Sequence, residues 1–215
     1  MHITKADIEN TPRIKRLNLI NSITGVKPAN LIGTISEGKT ANLAIFSSIV
    51  HLGSNPASIG FILRPQRERK TDTYRNILNE KYYTINHVHS SFIEKAHYSS
   101  VKFAENESEF DFLEMQEEYV DGFVAPFHKG SNLKIGMKLQ EMIPLPNGCI
   151  FVVGSVEHVF IKDDFMSEDG ILDLEKMDDV GISGLNSYYS LKKIGQFPYA
   201  KKNEIPPNLI KDNSK

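Results

Sequence analysis

Four basic side chains, Arg64, Arg67, Arg69 and Lys70, crowd one short stretch of FILRPQRERKTDTYRNI, Phe61 to Ile77. They stand directly before a helix expected to begin near Thr73, with Thr71 and Asp72 as N-cap candidates. Backbone N–H groups at a helix start and the helix dipole favour an anion, and guanidinium groups add charge-assisted hydrogen bonds. A phosphate suits this pattern: Thr73 offers a hydroxyl and Asn76 lies one turn further on. A solvated basic loop that keeps an edge soluble suits it equally, and an Asp72 carboxylate on the helix start would compete for the donors a phosphate needs.

The second chemically suggestive stretch is TANLAIFSS, Thr40 to Ser48, which mixes small and hydroxyl-bearing residues with Phe46. Undersized side chains let a flat aromatic ligand approach a strand's backbone, whose donors could then reach ring carbonyls. A half-exposed strand with no ligand has the same composition.

Both stretches need elements to hold them. Ala29 to Ser36, Asn42 to Val50 and Ala57 to Leu63 are apolar, β-branched runs divided by Glu37-Gly38-Lys39 and Gly53-Ser54-Asn55-Pro56, which predicts three strands joined by tight turns. A helix over Thr73 to Asn79 and an alternating strand over Tyr82 to Val88 follow, then short helices over Ser91 to Tyr98 and Glu107 to Met115. Leu133 to Ile143 and Cys149 to Ile161 read as one long hairpin turned at Asn147-Gly148. Ile171 to Leu174 and Ser187 to Leu191 are short apolar segments before a tail from Pro198. Many close-spaced strands with few short helices predict a mainly β (α+β) fold in which a twisted antiparallel sheet closes into a barrel.

Composition narrows the function classes. The 215 residues suffice for one domain, with 40% hydrophobic and 24% charged residues, as in ordinary globular chains. A formal charge of -2 supplies no field for a polyanion, so neither nucleic acid nor a membrane surface is expected as a partner. The lone cysteine, Cys149, is expected as a small buried thiol in an apolar run, and it excludes a disulfide framework. No signal-peptide core or membrane-length apolar window is present, so a cytoplasmic location is expected.

Taken in order, NLAIFSS at Asn42 to Ser48, Asn55-Pro56, Arg64 to Ile77 ending DTYRNI, YYTIN at Tyr82 to Asn86 and SEF at Ser108 to Phe110 resemble the flavin reductase-like family. GSVEHV at Gly154 to Val159, DGILD at Asp169 to Asp173 and GLNSYY at Gly184 to Tyr189 look like its closing strands, so the resemblance spans Ala29 to Tyr189. It implies a Greek-key FMN-binding split β-barrel over 29–197, with 1–28 as an extension packed on the barrel and 198–215 as a tail. It places Asn42, Leu43, Ala44, Phe46, Ser47 and Ser48 along the isoalloxazine and ribityl chain, and gives the phosphate to Arg64, Lys70, Thr73 and Asn76. Arg67 and Arg69 stay open as substitutes, because the stretch is unusually rich in arginine. His97 and Ser99 would approach from the neighbouring helix. A homodimer with FMN sites near its interface is implied as well.

Three functions remain open on this resemblance. One is an oxidoreductase moving hydride from NADH or NADPH to FMN, with an oxygenase as a candidate recipient of reduced flavin. Another holds FMN tightly and passes electrons to a protein or metal, and the third is a flavin-binding module without turnover. No catalytic base is expected. His87 and His89 share a strand face as two metal ligands would, but with no third ligand nearby they read as ordinary strand histidines. His158, expected just after a strand, suits either a nicotinamide neighbour or a hydrogen-bonded surface residue. The acidic run Asp163 to Asp179 lacks calcium-loop spacing, and Gly181-Ile182-Ser183-Gly184 is no dinucleotide fingerprint.

Overall fold

The computed structural model describes residues 1–104, 107–120 and 122–209. The end of the expected tail, 210–215, lies outside the described residues. Two helices, α1 (Lys5–Asn10) and α2 (Arg13–Ser22), come first and bury no residue. A two-residue strand, β1 (Lys27–Pro28), leads into β2 (Asn30–Ile35), β3 (Ala41–Phe46), β4 (Val50–Ser54) and β5 (Ala57–Leu63). Then come α3 (Asp72–Glu80), β6 (Tyr82–His87), α4 (Ile93–Tyr98), α5 (Glu109–Phe112), β7 (Glu117–Glu118) and β8 (Phe127–His128). The long hairpin β9 (Lys134–Pro144) and β10 (Ile150–Phe160) precedes the small strands β11 (Val180–Ser183) and β12 (Ser187–Ser190).

Seven strands form one antiparallel sheet in the order β3-β2-β6-β9-β10-β5-β4. Strands adjacent in sequence but apart in the sheet make it the Greek-key split barrel expected from the sequence, mostly β with short helices. The barrel interior collects Ile32, Phe61, Tyr83, Ile85, Met137 and Val152, all essentially inaccessible. A second cluster on the outside packs Leu31, Leu43 and Ile45 against Ala96 of α4 and Phe110 of α5. Alternating side chains of β2 and β3 therefore feed two cores at once. A separate three-stranded sheet, β1-β11-β12, covers the β2 end, with Pro28 opposite Gly181.

Of the Asn147-Gly148 pair at the hairpin turn, only the glycine takes a positive φ. Gly148 has φ +80, and the loop is closed by Leu145 N–H to the Cys149 carbonyl at 2.8 Å. Cys149 is a correction, because it sits at this turn and is only half-buried, not enclosed in the core.

The run Asn42 to Val50 is a second correction, since it is not one strand. The ladder stops at Phe46, Ser47 to Ile49 turn the chain, and a separate β4 forms. The cause is Ser48, whose hydroxyl accepts from Ile62 N–H at 3.1 Å and donates to the Ile62 carbonyl at 3.2 Å. One side chain thus stands in for a strand at the seam where β3 meets β5. Smaller corrections concern three expected elements. The expected helix Glu107 to Met115 shrinks to α5, Ser91 to Tyr98 splits into a 3-10 turn and α4, and Leu172 forms only an isolated bridge with Met166.

Candidate functional site

The sequence-derived candidates fall around the open edge of β3 and the approach to α3. β3 pairs only with β2, so its other side carries no strand. Ala44, Phe46, Ser47 and Ser48 are half-buried there, whereas Asn42 and Leu43 are buried. Phe46 packs edge-on against Phe61 at 5.2 Å between ring centres, which gives the stretch a rigid aromatic floor.

Asn42, Thr73 and Asn76 meet, but facing inward. Asn42 Nδ2 donates to Thr34 Oγ1 at 3.1 Å and to Thr73 Oγ1 at 3.3 Å, and Asn76 Nδ2 donates to the same Thr34 oxygen at 3.1 Å. All four residues are buried. This network pins the start of β3 to the first turns of α3, and a buried network of this kind is costly to break.

The basic loop is built differently. Gln66 clamps it: its amide nitrogen donates to the Arg64 carbonyl at 2.8 Å, and its oxygen accepts the Thr71 N–H at 3.0 Å and the Thr71 hydroxyl at 3.1 Å. With its hydroxyl engaged there, Thr71 makes no side-chain cap on α3. The expected competition from Asp72 does not arise either, because its carboxylate pairs with Arg75. Arg64, Arg67, Arg69 and Lys70 are exposed and, among the described residues, form no ion pair or side-chain hydrogen bond. An uncapped helix start beside four unengaged cations suits an anion by both dipole and charge.

The far side of α3 is unsuited to an anion. The groove lined by Asn42, Asn76 and Arg75 also holds Glu37, Asp72 and Glu107, so carboxylates outnumber its one guanidinium. The loop side of α3 suits an anion better than this groove does.

On α4, His97 Nδ1 lies 3.1 Å from the Tyr188 hydroxyl and lines a cleft with Ser90, Glu94 and Asn186. Ser99 is buried, and its hydroxyl donates to the Ala96 carbonyl at 2.7 Å, so it closes α4. His87 and His89 part company. His87 ends β6 and pairs with buried Asp179 at 2.6 Å, while His89 leaves the strand and caps the next turn through Ser91 N–H. His158 lies within β10, not after it, between the rings of Phe123 and Phe160.

The sequence alone assigns Glu109 no role. It is 6% exposed, and its Oε2 accepts the Leu43 N–H of β3 at 2.9 Å. Burial pushes its carboxyl up to about 7, with the Asp72 charge adding to the rise. A glutamate between a serine and a phenylalanine carries no sign of burial by itself. His128 is displaced the other way, down to about 4, by burial and by Lys134 and Lys95.

These two groups tilt stability in opposite senses. The proton on Glu109 is held more tightly when folded, so its contribution is fully present below the ordinary value of 4.5 and is lost as pH rises through about 7. Neutral His128 contributes above 6.5, and that contribution is lost as pH falls through about 4. Substituting Glu109→Gln removes only the first. The variant is expected to gain on the wild type by up to about 3 kcal/mol between pH ~5 and pH ~8, read as the difference in thermal midpoint. A difference that stays constant with pH would mean that Glu109 titrates normally.

These residues fit FMN: an open strand edge of small residues for the ring, and unengaged cations at an uncapped helix start for the phosphate. Comparison with known proteins bears on the family and the fold. The model of the family described as flavin reductase like domain matches residues 26–176. A provisionally named flavin reductase with split barrel domain from Shewanella frigidimarina NCIMB 400 superposes with a TM-score of 0.89 at 43% identity, covering 93% of this chain and 100% of the other. Flavoredoxin of Desulfovibrio vulgaris (Miyazaki F) gives 0.69 at 25%, covering 84% and 93%. Nitrilotriacetate monooxygenase component B from Bacillus cereus gives 0.80 at 17%, covering 93% and 98%, and at that identity shows the shared fold alone. No curated protein matches the chain. Among the described residues no helix is long and apolar enough to cross a membrane. The chain belongs to the flavin reductase-like family, with that family's split barrel and a flavin-related function.

Proposed function

We propose that the chain binds FMN along β3 and transfers hydride to it from NADH or NADPH. The observation that carries this reading is the pairing of an open, small-residue strand edge with four unengaged cations at the uncapped start of α3. Arg64 and Lys70, with Arg67 and Arg69 beside them, hold the phosphate. Thr73, Asn76 and Asn42 fix the helix start on which that grip depends. Leu43, Ala44, Phe46, Ser47 and Ser48 lie along the ring and ribityl chain, Phe46 and Phe61 keep that wall rigid, and His97 and the Ser99-closed end of α4 flank it.

When bound, FMN supplies a two-electron acceptor at ring atom N5, so that NAD(P)H, H⁺ and FMN become NAD(P)⁺ and FMNH₂. The protein's share is proximity, orientation and exclusion of water from one ring face. Backbone donors near Ser47 and Ser48 stabilise negative charge developing on the ring. No side chain is assigned as a catalytic base.

The proposal includes a cytoplasmic homodimer. Its support is the run of exposed apolar residues after the barrel, Ile194 at 99%, Phe197 at 89% and Tyr199 at 87%, which a monomer leaves in water. Delivery of reduced flavin to an oxygenase is a further part, prompted by the fold shared with a monooxygenase component. Steady-state oxidation of NADH and NADPH with added FMN is expected to show turnover with one nicotinamide preferred. FMN that stays bound through dialysis without any such turnover would favour the second reading, an electron carrier, to which the flavoredoxin likeness points.

A further inference from the structure

An antiparallel edge strand alternates between backbone groups that face its partner and groups that face outward. In β3 the phase is fixed by one bond. Leu43 N–H leaves the sheet for Glu109, so the pair Gly33 and Leu43 is one whose backbone groups point away from each other. By alternation Ala41 and Ile45 face outward as well, while Asn42, Ala44 and Phe46 face β2. The open edge is thus a row of donors in which Leu43 is engaged and the positions towards Ser47 are not engaged by a strand.

Such an edge attracts a second strand or a ligand, and proteins block it where pairing is unwanted. Glu109 blocks one position only. Its place is fixed by its neighbour Phe110, which is 2% exposed and packs in the same cluster as Leu43 and Ile45. A carboxyl is a costly group to bury there, and an apolar side chain would leave a buried N–H unpaired, at about 1–3 kcal/mol. The carboxyl therefore does what neither a strand nor an apolar residue could: it fixes the backbone at Leu43 and leaves the following donors open.

We infer that Glu109 is a positioning residue for the flavin ring, holding the β3 backbone at Leu43 so that the next outward donors, from Ile45 to Ser47, meet the ring carbonyls. This rests on the FMN reading above and adds to it a residue that touches neither cofactor nor substrate.

The test is titration of FMN and of riboflavin into wild type, Glu109→Gln and Glu109→Leu, followed by flavin fluorescence at a temperature where circular dichroism shows each protein folded. Glu109→Gln keeps an oxygen that accepts the Leu43 N–H, so it should bind within about threefold of wild type. Glu109→Leu should bind both flavins about tenfold more weakly, because the loss lies at the ring and not at the phosphate. If Glu109→Leu does not fold, Glu109→Asp, one methylene shorter with its charge kept, carries the same expected loss. Wild-type affinity in Glu109→Leu or Glu109→Asp overturns the inference, as does a Glu109→Gln protein as weak as Glu109→Leu. A wild-type chain that binds neither flavin overturns the FMN reading itself, and this inference with it.

Discussion

Replacing Arg64 and Lys70 together by glutamine will weaken FMN binding by about 100-fold while leaving riboflavin binding unchanged. Charge-assisted hydrogen bonds contribute about 1.5–3 kcal/mol each, and exposed groups fall at the low end, so two of them amount to about 3 kcal/mol. Riboflavin lacks the phosphate and serves as the internal control. Thermal stability should barely move, because both side chains are exposed and hold nothing else among the described residues. The wild-type affinity should also fall with added salt, and the variant's should fall less. Equal loss for FMN and riboflavin would place the defect in the ring site and remove the phosphate from this loop.

Gly33→Ala is expected to be the most damaging small substitution on β2, the strand that pairs with β3. A Cβ there would lie 2.2 Å from the Pro126 carbonyl oxygen and 2.5 Å from Thr84 Oγ1. Neither neighbour can retreat easily. Pro126 is backbone, and Thr84 already donates to that carbonyl at 2.6 Å with both residues buried. Overpacking of this kind costs about 1–3 kcal/mol when a side chain can yield and more when backbone must move. A loss of more than about 3 kcal/mol in urea unfolding is expected. Gly33 stands opposite Leu43 in the ladder, so weaker flavin binding should accompany the loss. An alanine variant as stable as wild type would mean that β2 and the Pro126 segment are not packed as described.

The fold was legible in sequence wherever the cause of structure was local. β-branched runs marked β2 and β5, alternation marked β6, Asn147-Gly148 marked the β9–β10 turn, and the polar start before Thr73 marked α3. The chain became illegible where a long-range partner decided the outcome. Ser48 reads as one more small residue in a strand, yet its bonds to Ile62 across the seam end β3 and begin β4. Thr73 and Asn76 look like free hydroxyl and amide donors at a helix start. Both turn inward to buried partners far away in sequence: Asn76 donates to Thr34, 42 residues away, and Thr73 accepts from Asn42.

The site divides along the same line. The cations at 64–70 could be picked out from charge alone, and in the structure they stay exposed. Glu109 could not be, because its role comes from burial and from the phase of a strand edge that only pairing reveals. Asp72 shows the converse: a local rule made it a competitor for the helix start, and the neighbouring Arg75 takes its carboxylate instead.

The most direct test of the account is a fluorescence titration of FMN into the purified chain, with the visible spectrum recorded alongside. Saturable quenching at one FMN per chain, weakened in the Arg64 and Lys70 double variant, is the result the account predicts. FMN fluorescence that stays unchanged at every protein concentration, from a colourless and folded chain, would contradict it.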